Sequence, residues 1–169
     1  MTEEASRDTV DSLAREHGLE LLRFAYLLCG DRQLAEDLLQ DVLLALHRRF
    51  PDHLPLDNPV GYARRALANT NVSRARRRSS GEVVTDVLPD TMPVDPHDPA
   101  ERDALWQALR RLPVRQRTVL VLRFYADWTD DDIAAALGAR RGTVRSLASR
   151  AMVTLRADET LTAPEGGRS

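Results

Sequence analysis

A chain of 169 residues has room for one ordinary domain or two small ones. With 43% hydrophobic and 30% charged residues it can build real cores, and no apolar run nears the roughly 20 residues that span a bilayer. Its net charge of -2 excludes a uniformly basic coat for nucleic acid.

That small net charge hides strong patterning. Six arginines and no acid lie between Arg64 and Arg78, and five more arginines, again without an acid, between Arg140 and Arg156. Between these runs, Glu82 to Asp103 carries seven acids against one arginine. Two basic patches separated by an acidic connector suit a protein that touches nucleic acid at two places. The first ten residues (MTEEASRDTV) are acidic and polar, with no signal-peptide core. The single cysteine, Cys29, has no internal disulfide partner and sits in the apolar run FAYLLCG, so it is read as packing in a reducing cytoplasm.

In chain order, Leu21, Leu22, Ala25 and Leu28 repeat at helical spacing, and Gly30 stands where a helix C-cap would. Asp31 can cap the next helix, whose Leu34, Leu38, Val42 and Leu46 form one stripe. Pro51 and Pro55 break the pattern, and Asn58-Pro59 restarts it with proline in a tolerated first-turn position. The helix that follows grows more basic up to Arg78. From Ser79 to Pro99 the chain holds Ser-Ser-Gly, Pro89, Pro93, Pro96, Pro99 and many acids, too little apolar surface to offset chain entropy. Helical spacing returns at Leu105, Leu109 and Leu112, and the tail from Ala163 reads as frayed. The fold class is therefore all-α. Two small helical domains, an N-terminal bundle over 9–78 and a C-terminal domain over 100–161, are joined by an acidic, proline-rich linker over 79–99.

The most specific local signal is TDDDIAAALGARRGTVRSLASRAMVTLR. Thr129 and Asp132 approximate a capping box, and Asp130, Asp131 and Asp132 suit a helix N-terminus. Ile133, Ala134 and Leu137 give a short apolar face, Gly138 permits a tight reversal, and a second helix begins near Gly142. Its Val144, Ala148 and Ala151 point inward, which leaves Arg145, Ser146, Ser149 and Arg150 on the outward face. Small donor-rich side chains flanked by arginine suit a helix that enters a major groove, where arginine reaches guanine bidentately. A solvated helical hairpin is the alternative.

The chain resembles the RNA polymerase sigma factors of the extracytoplasmic-function class, especially their actinobacterial members, over about Gly18 to Leu155. Three stretches carry the likeness: GDRQLAEDLLQDVLLAL, NPVGYARRALANTNVSRARRR, and ALRRLPVRQRTVLVLRFYADWTDDDIAAALGARRGTVRSLASRA. The resemblance implies a sigma factor that binds core RNA polymerase through the beta-prime coiled coil and the beta flap, reads promoter DNA at its -10 and -35 elements, and is open to capture by an anti-sigma factor. It implies that Asp37, Gln40 and Asp41 face polymerase, although an ordinary solvated acidic face would have the same spacing. Asn69 matches the asparagine that helps hold a base flipped from the melted -10 element. Arg65, Arg74, Arg76, Arg77 and Arg78, with Ser73, complete the -10 set, and five arginines with no acid partner would repel one another on a bare helix end. Arg140, Arg141, Thr143, Arg145, Ser146, Ser149 and Arg150 form the -35 set.

There are departures from the family pattern. Ser73 replaces a usual aspartate, Tyr62 is the one aromatic residue in its stretch, and Leu147-Ala148 stands for a common Arg-Leu pair. Arg140 stands where Ser or Pro is usual and is the expected substitute for the lost phosphate contact at Leu147. The acidic linker reads either as a strand threaded through polymerase or as a tether. No phosphate loop, zinc motif or nucleophile elbow is present, and His17, His47, His53 and His97 lack ligand spacing, so neither an enzyme, a metal nor a cofactor is expected. Two rivals remain. One is a helix-turn-helix regulator that acts without core polymerase; the other is a sigma-like decoy that binds an anti-sigma protein.

Overall fold

The computed structural model describes residues 9–79 and 99–158, with side chains over 9–78 and 104–158. The first ten residues' acidic start, the connector over 80–98 and the tail from Ala163 lie outside the described residues, apart from Thr9 and Val10. Among the described residues there are seven α-helices, one π-helical turn and no strand. The chain divides into two compact units at Asp90/Thr91.

The first unit packs three helices, α1 (Val10–Cys29), α2 (Arg32–Arg49) and α3 (Pro59–Ser79), each against the other two. α1 begins earlier than its apolar spacing suggests. Thr9 and Ser12 form a reciprocal capping box, with Ser12 N–H donating to Thr9 Oγ1 at 3.1 Å and Thr9 N–H to Ser12 Oγ at 2.8 Å. Buried Val10 and Leu13 then hold that first part, across the polar stretch Glu16-His17-Gly18 where the spacing signal lapses. Gly30 takes the left-handed conformation (φ 74°) and donates to the Tyr26 carbonyl at 2.8 Å. Asp31 immediately caps α2, accepting from Leu34 N–H at 2.8 Å, so two helices meet at a two-residue corner.

The core of this unit is Leu21, Phe24, Ala25 and Leu28 from α1, Ala35, Leu38, Val42 and Leu46 from α2, and Ala63, Leu67, Ala68 and Val72 from α3. Leu22 and Leu34, expected in these stripes, are only half-buried, because Phe24, two positions on, and Ala35, one position on, carry the contact face. Ser79 closes α3 and Pro99 opens α4, so the expected linker gives up its first and last residues to helices.

The second unit holds α4 (Pro99–Arg111), α5 (Val114–Leu120), a π-helical turn (Val121–Tyr125), α6 (Asp130–Leu137) and α7 (Arg141–Arg156). In α4 the buried side is Ala108, continued by Leu112 just past its end, while Leu105 is 47% exposed. The Leu105/Leu109/Leu112 stripe is therefore rotated toward Ala108. α5 and the π turn form the centre, with Arg117 through Leu122 all buried in succession. The Ala126 N–H reaches five residues back to the Val121 carbonyl at 3.2 Å, and Trp128 N–H reaches Leu122 at 3.0 Å across Asp127 in the left-handed region (φ 55°). This widened turn swings Phe124 and Tyr125 out to solvent and leaves Arg123 half-buried beside α6.

Candidate nucleic-acid interface

In the second unit, Thr129 and Asp132 form the capping box that starts α6, with Asp132 N–H donating to Thr129 Oγ1 at 3.2 Å and Thr129 N–H to Asp132 Oδ2 at 3.2 Å. α6 ends on Gly138 (φ 61°), and Ala139 N–H bonds back to Ala134 at 3.0 Å. A non-glycine residue there would meet no neighbour, so the backbone conformation alone selects glycine. Two residues later α7 starts, with Arg140 at its N-cap making no side-chain capping bond. Val144, Leu147, Ala148, Ala151 and Leu155 pack inward against α5 and α6. Leu147 is buried core, so a contact to DNA there is excluded by packing as well as by chemistry.

Of the seven residues expected at the -35 element, Arg140, Arg141, Arg145, Ser146, Ser149 and Arg150 are exposed and Thr143 is half-buried. Two of the three acids ahead of them have a second role that capping did not predict. Asp130 accepts from Arg123 of the π turn and from Arg145 Nε at 3.4 Å, and Asp131 lies 3.6 Å from Arg141 Nε. Arg123, chiefly by its hydrogen bond, and Arg145 hold the Asp130 carboxyl below its ordinary value of 3.8. Arg123, Asp130, Arg145, Ser149, Val153 and Arg156 line a shallow open cleft along α7. Sequence reasoning missed Arg123, which belongs to neither basic run.

In the first unit, Asp37, Gln40 and Asp41 are exposed on α2, as the stripe beside them requires. On α3, Arg65, Ser73, Arg76, Arg77 and Arg78 are exposed and Asn69 is half-buried. The expectation that the α3 arginines lack acid partners is corrected here. Arg74 is ion-paired with Asp41 of α2, and Arg64 with Glu20 of α1, where its guanidinium also lies 5.6 Å from the Phe24 ring centroid. The acids come from neighbouring helices 33 and 44 residues away, a distance at which sequence spacing is blind.

Asn71, two positions from Asn69, turns the opposite way and is 2% exposed. Its amide donates to the Leu28 carbonyl at 3.2 Å and accepts from Cys29 Sγ at 3.4 Å, tying α3 to the end of α1. Its place on the Ala63/Leu67/Ala68/Val72 face was the signal that could have found it. Cys29, half-buried, takes part in this link as well as in packing.

A short capped helix, a left-handed glycine and a second helix that shows arginine and serine outward define a helix-turn-helix protein built to read duplex DNA. Residues 13–81 match the family model of Sigma-70 region 2, and residues 102–155 match that of Sigma-70, region 4. The chain is 37% identical over 137 residues to the RNA polymerase sigma-E factor of Streptomyces avermitilis, covering 80% of this chain and 76% of that one. It is 32% identical over 151 residues to the ECF RNA polymerase sigma factor SigM of Mycobacterium tuberculosis, covering 88% and 76%. Among solved structures it is similar to the sigma factor RpoE in complex with the anti-sigma factor NepR from Bartonella quintana, with a TM-score of 0.65, 26% identity, and 92% of this chain and 99% of that chain covered. The chain belongs to the RNA polymerase sigma factors of the sigma-70 family, in their extracytoplasmic-function class.

Proposed function

We propose that this sigma factor docks on core RNA polymerase and selects promoters by reading two elements with two separate units. In this reading, residues 9–78 bind polymerase and the opened -10 strand, 79–99 connect, and 100–161 read the -35 duplex. Asp37, Gln40 and Asp41 of α2 face the beta-prime coiled coil, and the second unit meets the beta flap. On α3, Arg65, Ser73, Arg74, Arg76, Arg77 and Arg78 hold the melted backbone while Asn69 bonds an extruded base. On α7, Arg145, Ser146, Ser149 and Arg150 enter the major groove, with Arg140, Arg141 and Thr143 near phosphates. The single observation that carries the reading is the occurrence, in family order, of both matched regions, each presenting an exposed face rich in arginine.

The subunit supplies recognition, and the bond-making chemistry belongs to polymerase, so it is no enzyme itself and needs no cofactor. Its place of work is the cytoplasm, where polymerase and DNA are. Among the described residues no helix is long and apolar enough to cross a membrane. An anti-sigma protein is a further partner, supported by the likeness to RpoE bound to NepR.

Run-off transcription with core polymerase and fragmented source DNA tests the reading. Discrete start sites that require this protein, and that vanish with Arg145→Ala or Asn69→Ala, are expected. Binding to core without new transcripts would replace the reading by a decoy. Specific duplex binding without binding to core would replace it by an ordinary repressor.

A further inference from the structure

Asp130 sits at the first position of α6, yet its carboxylate faces the recognition helix. One oxygen accepts from Arg123 and the other lies 3.4 Å from Arg145 Nε. The acid is 18% exposed and Arg145 is 61% exposed, so the pair is anchored at its acidic end and open at its basic end. Arginine carries five donors on a rigid plane. With Nε–H turned to Asp130, the two terminal nitrogens of this exposed side chain remain for a ligand, and end-on they match the O6 and N7 acceptors of guanine.

We propose that Asp130 is a positioning residue that fixes the guanidinium plane of Arg145 and thereby sets base selectivity at one pair of the -35 element. The inference rests on the reading of α7 as the -35 reader and names what makes that reading selective. An unrestrained arginine is a poor discriminator, because it satisfies itself on any nearby phosphate as readily as on a base. Asp130 opposes this in two ways. It holds the side chain at the angle of the groove floor, and its negative charge lowers the attraction of this end of α7 for phosphates in general. Arg123 keeps the carboxylate in place by occupying its other oxygen, so Asp130 does not swing with Arg145.

Positioning favours cognate DNA alone, whereas the charge weakens binding to every duplex, and this separates positioning from simple structural support. The test measures holoenzyme affinity for promoter fragments in which each -35 base pair is replaced in turn. For the pair read by Arg145, the unaltered protein should discriminate about 10-fold to 100-fold. Arg145→Ala should abolish discrimination at that pair. Asp130→Ala should reduce it several-fold at the same pair, leave the other pairs unchanged, and raise affinity for non-cognate duplex. Asp130→Asn, which keeps the shape without the charge, should raise non-cognate affinity while retaining more of the discrimination than alanine does. The double variant with Arg145→Ala should discriminate no worse than Arg145→Ala alone. Unchanged discrimination in Asp130→Ala, or an equal loss at every pair, would overturn the proposal while leaving α7 as the reader. Unchanged discrimination in Arg145→Ala would overturn it together with the reading of Arg145 on which it depends.

Discussion

Replacing Asn71 probes the joint between α1 and α3 directly. The side chain is 2% exposed, gives one hydrogen bond to the Leu28 carbonyl at 3.2 Å, and receives the Cys29 thiol at 3.4 Å. Asn71→Ala deletes the amide bond, at about 1 kcal/mol net. It also vacates about 40 Å³ of amide group, which at about 24 cal/mol per Å³ adds about 1 kcal/mol. The expected loss is about 2 kcal/mol, or about 8–15 °C in the midpoint of a unit this small. Asn71→Asp keeps the volume but sets an acceptor against the Leu28 carbonyl and places a carboxylate in the core, so it should be worse than alanine. Both tryptophans, Trp106 and Trp128, belong to the second unit. Tryptophan emission therefore follows that unit, and far-UV circular dichroism follows both. The loss should fall in the part of the dichroism transition that tryptophan emission does not track. An aspartate variant as stable as the alanine variant, or a loss below about 0.5 kcal/mol in either, would refute this reasoning.

Three further outcomes follow from the same structure. Gly138→Ala forces a left-handed backbone (φ 61°) on a residue with Cβ and should destabilise the second unit by about 1 kcal/mol, with Gly138→Asn milder, read from the urea midpoint of tryptophan emission. The folded Asp130 carboxyl titrates below 3.8, so its ion pairs stabilise the unit at neutral pH and this contribution is lost as pH falls through the folded value; an acid titration of the unfolding midpoint should show that loss in the native protein and its absence in Asp130→Asn. Asp41→Ala removes the acid paired with Arg74, an exposed partner whose loss should change stability by under about 1 kcal/mol, yet it should steepen the salt dependence of binding to a single-stranded -10 oligonucleotide by up to about one ion, measured by fluorescence anisotropy.

What was legible in the sequence is what repeats locally. Gly30, Asp31, Thr129, Asp132 and Gly138 act within four residues of themselves, and each takes the turn or cap that its chemistry favours. The inward set Val144, Ala148 and Ala151 follows from helical spacing alone. The π turn was not legible, because Val121–Tyr125 reads as ordinary helix until the i to i−5 bond at Ala126 is seen. Nor was the direction of the long charged side chains. Spacing says which face of a helix a residue occupies, but not which side chain of the next helix lies opposite. Arg64 and Arg65 are adjacent in a single basic run, yet Arg64 turns onto Glu20 and Phe24 while Arg65 is exposed. Asp41 and Asp130 were read as a polymerase contact and a helix-dipole acid, and the fold adds an arginine partner to each. The same physics explains both additions. An acid-free run of arginines is strained by its own repulsion, so acids supplied by packed neighbours relieve it, and weak exposed pairs of this kind can be exchanged for phosphate without a large energetic penalty. A basic surface intended to bind DNA reversibly is therefore expected to carry such internal counter-charges, and the informative distinction lies in burial. Asp41 is 61% exposed and pairs with one arginine, whereas Asp130, at 18%, is held by a second arginine, so the first pair is the one expected to open to phosphate.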